Sequence, residues 1–301
     1  FPMKIDNQNT PTPVPVEKVK SKPSTEVSSS AESPVKGPQD VKGTAARMTQ
    51  WFAQIGVSLP YQGMRANSIE SRVQRRQKIA AQRKLNNIES VFEKALKYCI
   101  DEGENERLDP DWFYNFANMA EEIHSPAMQE LWGKIFAVET NRPGSFSLRT
   151  LLILKQLTQK DAQTFRRAVA LSSRRQGDTT PKLLTGFYQQ PSILAMFRLR
   201  KEQQLNLATF GLSYPDLLSL MDLGLIHQTE IESGAWPVNS VVEWRSNGQV
   251  FQLTARKPGT TLKYYKFTTS GAELFTLVGA NKQAKYIEAL KHILLNAFVV
   301  N

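Results

Sequence analysis

One cysteine in 301 residues, Cys99, leaves no partner for an intramolecular disulfide and too few thiolates for a cysteine-rich zinc site. A reducing cytoplasm is the compartment that fits such usage. Histidine is nearly as scarce: His124, His227 and His292 are scattered, and no two stand at the i, i+4 spacing of a helical zinc site. Nucleophile-elbow and phosphate-loop motifs are missing. The acidic run Asp101-Glu102-Gly103-Glu104-Asn105-Glu106 lacks the alternating oxygen ligands and terminal Glu of a calcium loop. Apolar runs are short as well. None approaches the ~20 residues that span a bilayer, and the N-terminus lacks the apolar core of a secretory signal, so no transmembrane segment is expected. These absences predict a cytoplasmic protein that is not an enzyme, with no catalytic residues, no metal and no cofactor.

Charge is present in blocks. The formal net charge is +10, with 41% hydrophobic residues, enough for about two modest domains once a tail is set aside. By segment the net charge runs +1 over residues 1–45, +7 over 46–100, −7 over 101–142, +8 over 143–205 and +1 over 206–301. Two basic blocks thus flank an acidic one. Internal neutralisation between neighbours and a basic face left over for DNA or another polyanion are both compatible with that pattern.

Residues 1–45 read as a disordered leader, because Pro11, Pro13, Pro15, Pro23, Pro34 and Pro38 interrupt any helix or strand. Phe1-Pro2 before Met3 has the look of a processing or cloning scar. An amphipathic helix is expected from Ala45 to Leu59, with Met48, Trp51, Phe52 and Ile55 packed into a core or a partner. Residues 67–100 contain neither Pro nor Gly and predict one long helix of ~50 Å. Its apolar positions Ile69, Val73, Ala80, Ile88, Phe92, Ala95 and Cys99 follow a repeat near 3.5, and its first half is nearly bare of large apolars, so it is expected to project from the body or to pair as a coiled coil with a second copy, with Cys99 buried. Arg72, Arg75, Arg76, Lys78, Arg83 and Lys84 crowd the first half, where phosphate contact is the functional reading.

Asp109-Pro110 and Ser125-Pro126 each open a helix, the second carrying Met128, Leu131, Trp132, Ile135 and Phe136 on one wide apolar face. A corner follows at Pro143-Gly144. Ser147 is placed to cap the next helix, with Phe146 and Leu151 as its hydrophobic staple. Arg142, Ser145, Ser147 and Arg149 could gather an anion there, since a helix N-terminus presents free N–H groups.

The segments Asn87-Ile88-Glu89, Asp111-Trp112, Met128-Gln129-Glu130-Leu131-Trp132-Gly133-Lys134, Glu139 and Pro143-Gly144-Ser145-Phe146-Ser147-Leu148-Arg149-Thr150-Leu151 resemble a bacterial and prophage-borne family of conserved hypothetical proteins. The resemblance covers residues 55–165 best. Where family members commonly show Ala-Gly-Glu before the corner, this chain has Ala137-Val138-Glu139. The resemblance implies no activity and no catalytic residue, only an association with mobile elements and phage defence.

Beyond the corner, Thr158 to Asp161 forms a capping box for another helix, with Arg166, Arg167, Arg174 and Arg175 exposed. A further helical stretch is expected around Leu194, Phe197, Arg198, Arg200 and Lys201. Ser213 and Asp216 form a second box for the helix Tyr214 to Leu223, which Gly224 ends. Three strands then follow: Val242 to Ser246 and Gln249 to Leu253 around the hairpin turn Asn247-Gly248, and Leu262 to Thr268 after Pro258-Gly259. A closing helix begins at Thr269-Ser270.

That order is similar to winged-helix domains, in which the helix before the hairpin enters the major groove and the wing touches the backbone. Here that helix carries Asp216 and Asp222 and no Lys or Arg, so the cations must come from Arg245, Arg256, Lys257, Lys263 and Lys266 and from the earlier helices. The expected architecture is mainly α with a C-terminal α+β part: leader 1–45, long basic helix and helical domain 46–142, helical continuation 143–205, and a winged-helix-like domain with a three-stranded antiparallel sheet over 206–301. The expected function is non-enzymatic binding of DNA, as a homo-oligomer joined through the long helix. A protein-interaction or sensor component of a phage-defence or mobile-element system is the alternative.

Overall fold

Short polar side chains set where the helices start. In the computed structural model, which describes residues 38–58, 68–99, 107–189, 201–246, 248–279 and 283–301, six helices precede the first described strand. Helix α1 (Pro38–Gln54) belongs to a unit of residues 1–64, separate from that of residues 65–301. It begins ahead of the expected Ala45, and Gly56, at φ 79°, follows its end. Met48, Trp51 and Phe52 are exposed on it, which leaves packing against a partner as the half of that expectation still open.

In the second unit, Ser68 caps α2 (Ile69–Leu96), Asp109 caps α3 (Pro110–Ala120) and Ser125 caps α4 (Pro126–Asn141). Ser147 caps α5 (Leu148–Gln156), and Thr158 with Asp161 forms the expected reciprocal box on α6 (Gln159–Ala170). Each side-chain oxygen takes one of the N–H groups that a helix start leaves unpaired. The staple residues Phe146 and Leu151 are both buried. Trp112 stacks on Phe116 at 5.1 Å, and Phe116 meets Trp132 at 5.3 Å, so α3 and α4 share an aromatic core. Cys99, expected to be buried, is exposed, because α2 ends at Leu96 before reaching it.

The rest is mixed α+β, with two four-stranded antiparallel sheets among the described residues. One has the order β1-β5-β6-β8, from β1 (Arg174–Arg175), β5 (Val241–Ser246), β6 (Gln249–Ala255) and β8 (Phe298–Val300). The other has the order β3-β2-β7-β4, from β2 (Lys182–Gln189), β3 (Lys201–Gln204), β4 (Ile231–Glu232) and β7 (Thr260–Lys266). A short 3₁₀ turn, Leu207–Phe210, leads to α7 (Tyr214–Asp222), which Ser213 and Asp216 cap as expected. Helices α8 (Thr269–Phe275) and α9 (Ala284–Leu294) lie between β7 and β8, and the Tyr286 hydroxyl of α9 donates to the Leu184 carbonyl at 2.7 Å.

Three expectations are corrected. The single three-stranded sheet does not form: β5 and β6 pair as the foreseen hairpin, but β8 takes the free edge of β6 and β7 joins β2 instead. The physical reason lies in β2, whose residues Lys182 to Phe187 are all buried and need a sheet neighbour on either side. Residues 143–205 are not a helical continuation, since they hold β1, β2 and β3, and Lys201 lies in a strand, not a helix. The fold is therefore less helical than expected. The acidic run 101–106, the stretch 190–200, Asn247 and residues 1–37 of the leader lie outside the described residues.

Candidate nucleic-acid interface

Among the described residues, helix α2 is fastened to the body at its C-terminal end. Asn87, Val91 and Ala95 are its buried residues and face α4, where Gly133 permits the approach: a Cβ there would stand 2.8 Å from the Ala95 nitrogen. Polar groups pin the same end. Asn87 Nδ2 donates to the Glu121 carbonyl at 2.7 Å, Gln129 Nε2 donates to the Ile123 carbonyl at 2.9 Å, and Ser90 donates to Gln129 Oε1 at 2.8 Å. Buried amides bonded in this way specify register as well as position.

From Ile69 to Asn86 no side chain is fully buried, and all but the half-buried Ile79 and Ala80 are exposed. Arg72, Arg75, Arg76, Lys78 and Arg83 are all exposed there, and none pairs with a described carboxylate. Lys84 is the exception, 3.2 Å from Glu121. The acidic block thus answers its basic neighbours at two described places, Lys84 with Glu121 and Lys155 with Glu122, and Lys155 holds the Glu122 carboxyl below its ordinary pKa.

The remaining basic candidates do not form one patch. Arg245 lies on β5 beside the hairpin turn, whereas Arg256 and Lys257 follow the far end of β6, about 20 Å away along a seven-residue strand. Lys263 lies in the other sheet between Glu202 and Glu230; the hydrogen bond to Glu202 is the main cause of its raised pKa, and its charge is answered internally. Lys266, half-buried on β7, stands opposite Lys182. What the sequence did not reveal is the neighbour of Arg245: the β1–β5 register places Arg174 directly across from it. With both arginines expected on a helix or hairpin of their own, only the strand pairing could have joined them.

At the Pro143-Gly144 corner the anion sites are taken by the protein's own carboxylates. Glu139, 2% exposed, accepts from the Gly144 N–H at 2.6 Å and from the Phe146 N–H at 2.8 Å. Burial pushes its carboxyl pKa up, and these N–H groups oppose the rise. The Ser147 N–H donates to Glu273 Oε2 at 2.8 Å, and its hydroxyl donates to the same oxygen at 3.2 Å. The Ser145 hydroxyl donates to the carbonyl of Arg142, the residue that ends α4. Arg149 points elsewhere, its guanidinium 3.7 Å from where a Gly224 Cβ would stand, beside the C-terminus of α7.

Elsewhere, a cavity of about 770 Å³ is lined by Met128, Leu131, Leu154, Phe165, Leu274 and Leu277 among others, with Arg166 also on its wall. No group of His, Cys, Asp and Glu able to hold a metal occurs among the described residues, and no described helix is long and apolar enough to cross a membrane.

Among known proteins, no curated protein and no solved structure matches the chain. The sequence model of one family, described as protein of unknown function (DUF2806), matches residues 71–291, from the first turn of α2 into α9. The chain belongs to the DUF2806 family.

Proposed function

We propose that the protein is a non-enzymatic nucleic-acid-binding protein that engages duplex DNA through the exposed half of α2. The observation that carries this reading is the set of five exposed cations, Arg72, Arg75, Arg76, Lys78 and Arg83, without a described carboxylate partner on a stretch of helix that fully buries no side chain. Self-pairing of that stretch would set like charges against each other, whereas a phosphate backbone neutralises them and releases counterions. A second support is the chain order α6, β2, α7, β4, β7 with β7 between β2 and β4, which resembles a winged-helix module whose wing carries the β5–β6 hairpin. In that module α7 contributes shape and little charge, since its exposed side offers Tyr214, Leu218 and Asp222.

A salt series with duplex DNA, single-stranded DNA and RNA tests the proposal. Affinity should fall steeply with salt, and Arg72→Gln/Arg75→Gln/Arg76→Gln should weaken binding and flatten the log–log slope by about 0.9 for each duplex phosphate that is no longer neutralised. Failure to bind any of the three at low salt would retire the nucleic-acid reading. The Tyr214 and Leu218 face of α7 would then be the place to seek a protein partner.

A further inference from the structure

The pocket at the edge of the first sheet gathers arginines from two paired strands. Its volume is about 270 Å³, and its walls include Arg174, Arg175, Arg245, Glu243 and Asp178. Arg174 and Arg245 are partners in the antiparallel register, so their side chains leave the same face of the ladder. Like charges directly opposite one another destabilise a sheet unless something of opposite charge lies between them. No described carboxylate does so: none of the three arginines forms an ion pair among the described residues, and Asp178 is engaged by Lys182. The guanidinium of Arg174 is instead held over the ring of Phe275 at 5.5 Å, which fixes its direction without neutralising it. Gly177, at φ 85° and with open space where a Cβ would be, keeps one wall low.

The charge count then selects a ligand. Three arginines line the pocket, with Arg174 and Arg245 on one face of the ladder and Arg175, opposite Trp244, at its edge. Against the one unengaged carboxylate, Glu243, they leave a surplus of about two positive charges. That suits a phosphomonoester, which carries ≈ −1.5 to −2 near pH 7, better than the single charge of an internal phosphodiester. We propose that Arg174 and Arg245, with Arg175 at the rim, form a phosphomonoester-binding pocket, filled by the terminal phosphate of a nucleic-acid strand or by that of a nucleotide. The inference draws on the nucleic-acid reading only for the source of the phosphate, because the pocket and the exposed half of α2 share no residue.

Strands of one length and sequence, 3′-labelled and bearing either a 5′-phosphate or a 5′-hydroxyl, are titrated with the full chain. A nucleoside 5′-monophosphate is titrated in parallel. The phosphorylated strand should bind about tenfold or more tightly, as expected of charge-assisted bonds from fixed guanidiniums. The preference should vanish in Arg174→Gln/Arg245→Gln and survive in Arg72→Gln/Arg75→Gln/Arg76→Gln. It should also shrink from about pH 7.5 to about pH 5.5, as the phosphate gains its second proton near pH 6. Because relief of the like-charge opposition offsets the loss of the Arg174–Phe275 contact, the unliganded variant should melt close to the parent. If neither strand binds but the mononucleotide does, in a way that depends on Arg174 and Arg245, the pocket stands and the nucleic-acid function fails. Equal affinity for the two strands without mononucleotide binding overturns the pocket, as does a preference that persists in the double variant.

Discussion

Glu139 is the residue on which the corner turns, and its situation has a measurable cost. A carboxylate that is 2% exposed has lost most of its hydration, and two backbone N–H groups return only part of it, so its pKa is raised from the ordinary 4.5. With a raised folded pKa, the native state binds the proton before the unfolded chain does. Glu139's contribution to stability is therefore greatest below the ordinary value and is lost as pH rises through the raised one. Glu139→Gln removes that titration and leaves one N–H facing an amide donor. The variant should have the lower urea midpoint, and the wild type should gain on it as pH falls from neutrality toward 4.5. A gap that is constant with pH would show that the carboxyl does not titrate in that window. Gly133 is a second test at this scale. A methyl group there would meet the Ala95 nitrogen and the Lys94 Cβ, each at 2.8 Å, and neither can retreat without moving α2. Gly133→Ala should lower stability by about 1–3 kcal/mol in denaturant melts.

At the level of elements, whatever is encoded within four or five residues was readable. The boxes Thr158–Asp161 and Ser213–Asp216, the caps Ser125 and Ser147 and the β5–β6 hairpin all appear as the sequence predicts, because each depends on near neighbours. Strand β2 was not readable. Lys182 to Phe187 is buried throughout and so lacks the alternation that marks a half-exposed strand. Gly186 in its middle is the one local clue: a Cβ there would come within 2.0 Å of the Gln203 carbonyl oxygen, at the point where the β2–β7 register shifts. The candidate site divides in the same way. The cations of α2 were visible as a run on one helix, but the opposition of Arg174 to Arg245 exists only once strands some seventy residues apart have paired. The same limit hid the fate of the anion corner, whose second carboxylate, Glu273, arrives from α8.

For the molecule as a whole, the three charge blocks prove to be partly a matter of architecture and partly a surplus. The acidic block closes on Lys84 and Lys155, one on each side of it in sequence, and the unanswered cations gather on α2 and around the β1–β5 edge. A helix with one end welded to a body and the other touching no described residue outside itself has the mechanics of a cantilever. Among the described residues, the stretch from Ile69 to Lys78 has only its own backbone bonds and the Ser68 cap to resist fraying, since the first tie to the body is Lys84 with Glu121. Amide hydrogen exchange should accordingly form a gradient along α2, fast near Ser71 and slow by Val91. A polyanion laid along the arm should flatten that gradient from the free end inward while leaving the protection of α4 unchanged. Uniform protection of the unliganded helix would mean that something other than nucleic acid already supports it. On the proposed reading, the stiffness of that charged arm is a property supplied from outside the chain, by the polyanion it binds.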